Sequence, residues 1–137
     1  VQVKSIQINA INKKKVEAGK VAAFSLSKYK GNLHARKGMV LLDARTQPTS
    51  TWEFKAEMKI LYHTTTIQVG YQPVIHSGSV KQAAAIQFIE GDKVLRTGEK
   101  AIVRFKFLYR PEYLMSGSKV VLRENRTRGI GSIISTV

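Results

Sequence analysis

Apolar and polar residues alternate with a period of two through most of the chain, the repeat of a strand whose successive side chains point to opposite faces of a sheet. Val1, Val3, Ile6 and Ile8 open the pattern, and Val21, Ala23, Phe24 and Leu26 resume it with a one-residue slip. Further β-rich runs fall at 39–42, 54–62, 71–76, 83–89, 100–109, 119–123 and 130–137. Breaks stand at Gly19, Gly31, Gly38, Gly70, Gly78, Gly91, Gly98 and Gly117. Short strands at this spacing, with no long helical pattern between them, predict an all-β fold built as an antiparallel β-barrel or sandwich. Helix signals are confined to single turns expected around 32–36 and 111–114.

The polar stretch Thr46-Gln47-Pro48-Thr49-Ser50-Thr51 separates two β-rich blocks and is the best linker in the sequence. It divides the chain into a block over 1–47, too short to close a barrel alone, and a block over 48–137 long enough to do so. The expected architecture is therefore an antiparallel β-barrel preceded by an incomplete second β-barrel. A weak internal repeat agrees with two related blocks: Gly19 and Gly98 precede similar runs, as do Gly38 and Gly117, at one common offset.

Charge narrows the partners. With 23 Lys and Arg against nine Asp and Glu, the 137-residue chain carries a formal +14, a field that calls for a polyanion. No apolar run approaches the roughly 20 residues of a membrane span, and the cations are spread along expected strands instead of one amphipathic helix. RNA and DNA both satisfy that demand, and a membrane becomes the minor reading. The absence of cysteine excludes disulfides and thiolate metal sites and suits a cytoplasmic setting. The opening Val-Gln-Val-Lys-Ser-Ile reads as the start of an excised fragment.

Chemistry is hard to find. No Gly-rich loop ending in Lys and Ser or Thr is present to cradle phosphates, and Asn12-Lys13-Lys14-Lys15 has Lys where a guanine-recognition motif needs aspartate. Ser77-Gly78-Ser79 and Ser116-Gly117-Ser118 read as turns, not as the nucleophile elbow of a hydrolase. His34, His63 and His76 lie far apart with no carboxylate spaced to complete a metal site. Glu53 and Glu57 can share a strand face, but nothing else makes them an acid and base pair. The chain is expected to be no enzyme and to hold no cofactor.

Several segments, in order, resemble the third domain of elongation factor Tu-type GTPases. They are His63-Thr64-Thr65-Thr66, Gly70-Tyr71-Gln72-Pro73, Leu95-Arg96-Thr97-Gly98-Glu99-Lys100-Ala101, Arg110-Pro111-Glu112-Tyr113-Leu114 and Arg123-Glu124-Asn125-Arg126-Thr127-Arg128-Gly129-Ile130-Gly131. His76-Ser77-Gly78-Ser79-Val80-Lys81-Gln82 and the Pro-Glu-Tyr-Leu at 111–114 are similar to the eukaryotic GTP-binding protein 1 and 2 group within that superfamily. Elongation factor Tu itself differs at both and reads Arg-Glu-Gly-Gly-Arg-Thr, one residue longer, at the turn around Asn125. Residues 1–47 resemble the later strands of the second domain, ending at Arg36-Lys37-Gly38-Met39-Val40.

The resemblance implies a translational GTPase whose GTP and magnesium bind a domain that this chain does not include. The third domain of such a protein packs on its own GTPase domain and lays one flank along the T-stem of a tRNA, with the ribosome as further partner. Family T-stem contacts fall on Arg110 and on the Arg123-Glu124 turn, and a contact to the tRNA 5′ end falls on Lys37. Two other contact positions carry Val74 and Ala83, which cannot donate hydrogen bonds. Arg126 and Arg128 join Arg123 as a dense set of phosphate donors. His63 begins the Thr64-Thr65-Thr66 turn on the same side, where an RNA contact, a cap on that turn and a contact to the GTPase domain are all open. Lys13, Lys14, Lys15, Lys28 and Lys30 with Tyr29 read as solvated hairpin ends, and Trp52 beside the linker as a packing anchor. The alternative reading is a protein-interaction platform, for the GTPase domain or for mRNA-decay partners, and a third is an unrelated basic barrel such as a ribosomal protein.

Overall fold

A computed structural model describes residues 1–27 and 34–137. It is all-β, with no helix among the described residues. Nine strands follow in order: β1 (Val3–Ile8), β2 (Ile11–Lys13), β3 (Ala23–Leu26), β4 (Glu53–Tyr62), β5 (Val74–Ser77), β6 (Val80–Ile89), β7 (Lys100–Phe107), β8 (Lys119–Glu124) and β9 (Thr127–Thr136). The chain divides into two compact units, Val1–Ala35 and Arg36–Val137. The first is a three-stranded antiparallel sheet in the order β2-β1-β3. The second holds a closed antiparallel barrel in the order β4-β7-β6-β5-β8-β9.

Closure follows from the alternation. Along β4, Phe54, Ala56, Met58 and Ile60 turn inward and are at most 1% exposed. They meet Ile75, Ile86, Val103, Phe105, Phe107, Leu122 and Ile133 from the other strands in one core. The rings of Phe105 and Phe107 lie 5.1 and 5.3 Å from that of Phe54, and each such side chain stabilises the fold by about 1.5–3 kcal/mol. Strand β9 threads past β4 at Gly131, where a Cβ atom would stand 1.9 Å from the Glu57 carbonyl oxygen. No residue but glycine passes there without forcing the strands apart.

Two local expectations are corrected. The apolar run 39–42 forms no strand; Met39, Val40, Leu41 and Leu42 are all at least 40% exposed, because no described strand offers them a ladder. The segment 111–114 is not a helical turn either. Glu112 instead makes an antiparallel bridge with Thr51, donating to and accepting from its backbone at 3.0 and 2.8 Å. Of the turn expected at 32–36, residues 34–36 are not helical, and Asn32 and Leu33 lie outside the described residues. Lys28, Tyr29 and Lys30 lie outside them too. Phe54 belongs to the core, whereas Trp52 stays 43% exposed and anchors little.

Candidate nucleic-acid interface

The hairpin joining β8 and β9 turns in two residues, Asn125 and Arg126, with Glu124 opposite Thr127 and Arg123 opposite Arg128. Asn125 takes φ 51°, a left-handed conformation that asparagine tolerates better than most residues. One residue fewer at this turn is thus accommodated by a tight hairpin. Register then decides which arginines face out. Arg123 and Arg128 point away from the barrel beside each other, while their neighbours Leu122 and Gly129 face the core. Arg126 stands exposed at the tip.

The three guanidiniums are not equivalent. Arg128 folds back, its Nη1 donating to the carbonyls of Asn125 at 2.7 Å and Thr127 at 2.9 Å, which leaves fewer donors for a ligand. Arg123 and Arg126 form no salt bridge or side-chain hydrogen bond with the described residues. Glu124 turns inward: its Oε2 is buried without a hydrogen-bond partner.

Beneath the turn lies a small polar cluster. His63 Nδ1 is 2.7 Å from Thr127 Oγ1, its amide donates to Thr97 Oγ1 at 3.0 Å, and its ring meets Tyr71 edge-on at 5.3 Å. Burial pushes the Tyr71 phenol up to about 12, the Glu124 carboxylate adds to the rise, and the Thr127 hydroxyl offsets part of it. His63 is therefore brought to the hairpin, as a support for its base.

A second group of cations meets at Glu112, 2% exposed. Arg110 Nε donates to its Oε1 at 3.2 Å, Arg36 Nη1 at 3.1 Å and Gln82 Nε2 at 2.9 Å. Gln82 Oε1 accepts from the amides of Tyr109 and Arg110 at 2.9 and 3.0 Å. A buried carboxylate needs such company, since unpaired burial of a charge costs several kcal/mol. Lys37 follows Arg36 and is exposed, its carbonyl accepting from Arg36 Nη1 at 3.2 Å. Gly38 is buried next to the network; a Cβ there would stand 3.3 Å from Arg36 Nη1 and from Glu112 Oε2. Glu112, Gln82 and Arg36 were absent from the candidate residues. The spacing Arg110-x-Glu112 is a local signal that went unread, whereas Arg36, 76 positions from Glu112, gives none.

Register links the two groups. Val74 pairs with Arg123 on one side and with Ala83 on the other, so Arg128, Arg123, Val74 and Ala83 form one outward row across β9, β8, β5 and β6. Lys81 and His76 occupy the next outward row. Partial burial, then Lys81 and Arg123, hold the His76 imidazole below the ordinary histidine range. Around the barrel, Lys59, Lys100 and Lys119 rim a groove of about 570 Å³ floored by Met58, Val120, Val121, Ile130 and Gly131. Among the described residues no helix is long and apolar enough to cross a membrane.

A closed six-stranded antiparallel barrel with this order of motifs has the third-domain fold of the elongation factors. No family model matches the chain. Over 133 residues, 97% of its length, it is 44% identical to GTP-binding protein 1 of Xenopus laevis and 42% identical to GTP-binding protein 2 of Homo sapiens. Over 118 residues, 77% of its length, it is 31% identical to elongation factor 1-alpha of Staphylothermus marinus. The chain covers 20% and 22% of the first two proteins and 27% of the third. Along nearly its whole length the chain is similar to a C-terminal part of elongation factor Tu and elongation factor 1-alpha-like GTPases.

Proposed function

We propose that the chain is the RNA-binding C-terminal module of a translational GTPase, with a domain II-like segment over 1–47 and a domain III-like barrel over 48–137. It performs no catalysis of its own. One flank lies along the T-stem of a tRNA, another packs on the parent's GTPase domain, and the work takes place at the ribosome in the cytoplasm. The observation that carries this reading is the outward placement of Arg123 and Arg126 on a tight hairpin, without a salt bridge or side-chain hydrogen bond among the described residues; Arg110 contributes on the same reading. A rigid barrel that offers guanidiniums from fixed positions suits an A-form helix, which proteins recognise by backbone shape more than by sequence. Lys37 contributes on the same reading, next to the Glu112 network.

The test is a titration of the chain with tRNA at several salt concentrations. Binding that weakens steeply with salt, as phosphate-bound counterions are released, is the expected result; a salt-insensitive complex, or none, overturns it. Calorimetry with GTP and magnesium should show no saturable heat, because the parent's nucleotide site lies outside this chain. The groove under Lys59, Lys100 and Lys119 favours a second reading for that face. Its apolar floor of Val121 and Ile130 suits docking of the GTPase domain or another protein.

A further inference from the structure

The outward row Arg128–Arg123–Val74–Ala83 carries donors at one end only. Its β5 and β6 positions are filled by aliphatic side chains that give a phosphate nothing to hold. The missing donors reappear one outward position further along the same two strands. His76 and Lys81 are a direct cross-strand pair, and His76 sits opposite Val121, two residues from Arg123 on β8. Directly opposed side chains in such a ladder have Cβ atoms about 4.5–5.5 Å apart, and diagonal ones about 7–8 Å. All three head groups can therefore reach one anion.

We propose that Lys81, His76 and Arg123 form a phosphate-contacting strip on the outside of the barrel, and that His76 takes up a proton when an RNA backbone binds there. The inference rests on the RNA-binding reading above and adds to it two residues and a pH dependence.

The physical case concerns what faces His76. From β6 it is Lys81, from β8 Arg123, with Val121 directly opposite and Lys119 two residues further on. No carboxylate is among the groups that shift it; both charged neighbours that do so are cations, and they add to partial burial in disfavouring the imidazolium. The free protein thus holds a neutral imidazole between two positive charges at neutral pH. A phosphate laid across the strip reverses the balance: it neutralises the cations and accepts a hydrogen bond from the imidazolium, which favours the protonated form. A group protonated more readily in the complex than in the free protein makes binding tighten as pH falls. The strip has no strained or core position in it, so its members can be exchanged without loss of the fold.

The experiment measures the affinity of the whole chain for an unmodified tRNA transcript by fluorescence anisotropy, at constant ionic strength, between pH 8 and pH 5.5. The wild type should bind about tenfold tighter at the acid end, the change that a one-unit rise in pKa on binding produces. His76→Gln should flatten that response to within about twofold while leaving the thermal midpoint unchanged, which also subtracts any part played by His34 and His63. Lys81→Ala should weaken binding, lower the salt slope by about one unit, and move the pH response to higher pH, because one of the charges that opposes protonation is gone. A wild type and His76→Gln with parallel pH profiles overturn the proposal and leave RNA binding standing. Absence of binding at every pH overturns the RNA reading together with the strip.

Discussion

Two sets of arginines in the barrel unit differ in what they hold. At the Glu112 corner, Arg36 and Arg110 turn guanidinium nitrogens onto one buried carboxylate at 3.1 and 3.2 Å. At the β8–β9 hairpin, Arg123 and Arg126 meet no carboxylate among the described residues, and the one nearby, Glu124, turns an oxygen inward. The same residue type thus braces the fold in one place and presents charge in the other. Arginine density along a sequence does not separate these roles; the position of the acids does. Since Glu112 is buried and Glu124 is turned in, the outward face is more positive than the overall composition suggests.

The difference is largest for stability. Glu112→Ala removes the shared acceptor and strands Gln82 and both guanidiniums. The expected loss is about 2–3 kcal/mol, short of the roughly 3–5 kcal/mol for a fully buried pair because Arg36 and Arg110 keep 32% and 44% of their side chains exposed. Urea unfolding monitored by circular dichroism reads it. Arg126→Ala, at the tip, should stay within about 0.5 kcal/mol of wild type. Equal losses at both places would erase the distinction.

For RNA affinity the order reverses. Replacing Arg123 and Arg126 together by Ala should weaken tRNA binding roughly tenfold per contact near 0.1 M salt and lower the salt slope by about 0.9 for each phosphate released. Lys13, Lys14 and Lys15 provide the control, since β2 exposes Lys13 and, among the described residues, the only ion pair formed by the three is that of Lys15 with Glu17 at 3.5 Å. Changed to Ala they remove more charge than the tip pair does, and still should shift affinity less. If the lysine variant loses as much per charge, binding follows bulk charge and not the hairpin.

Within the hairpin a smaller contrast is expected. Arg128 already donates to two carbonyls of its own turn, so Arg128→Ala should lower affinity by about twofold to threefold, less than Arg126→Ala. It should also cost about 1 kcal/mol of stability through the lost bonds, whereas Arg126→Ala does not. Anisotropy and urea unfolding on the same two variants decide the matter.

The barrel strands from Glu53 onward were legible because each buries one face against a core and exposes the other, which writes a period of two into the sequence. The run 39–42 has the composition of a strand, and composition carries no information about whether a partner strand lies alongside. Pro-Glu-Tyr-Leu at 111–114 suggested a helical start, yet Glu112 is held in a bridge to Thr51 and in contact with Arg36, both far away in sequence. Strand β2 went unforeseen because its three residues, Ile11–Lys13, are too few to show a period. Arg110, Arg123, Arg126 and Lys37 were readable as candidates through resemblance. The inward turn of Glu124 was not, nor the pairing that sets Lys81 beside His76, because both depend on the register of strands that meet only in the fold.

The smallest effect tests the inward turn of Glu124, on which the charge contrast depends. Tyr71, partly buried beneath the hairpin, has its phenol pushed up to about 12 by burial first and by Glu124 second. Since the folded-state value lies above the unfolded one near 10, the contribution of neutral Tyr71 to stability is whole below pH 10 and is lost as pH rises through 12. An ultraviolet titration at alkaline pH should therefore show one of the five tyrosines ionising late, and Tyr71→Phe should delete that late step. Glu124→Gln removes the charge and keeps the shape. It should move the late step down toward 10 without merging it with the rest, because the larger cause, burial, remains. If Glu124→Gln leaves the step where it was, the carboxylate does not lean on Tyr71; it then faces outward with the arginines, and the hairpin is less positive than its register implies.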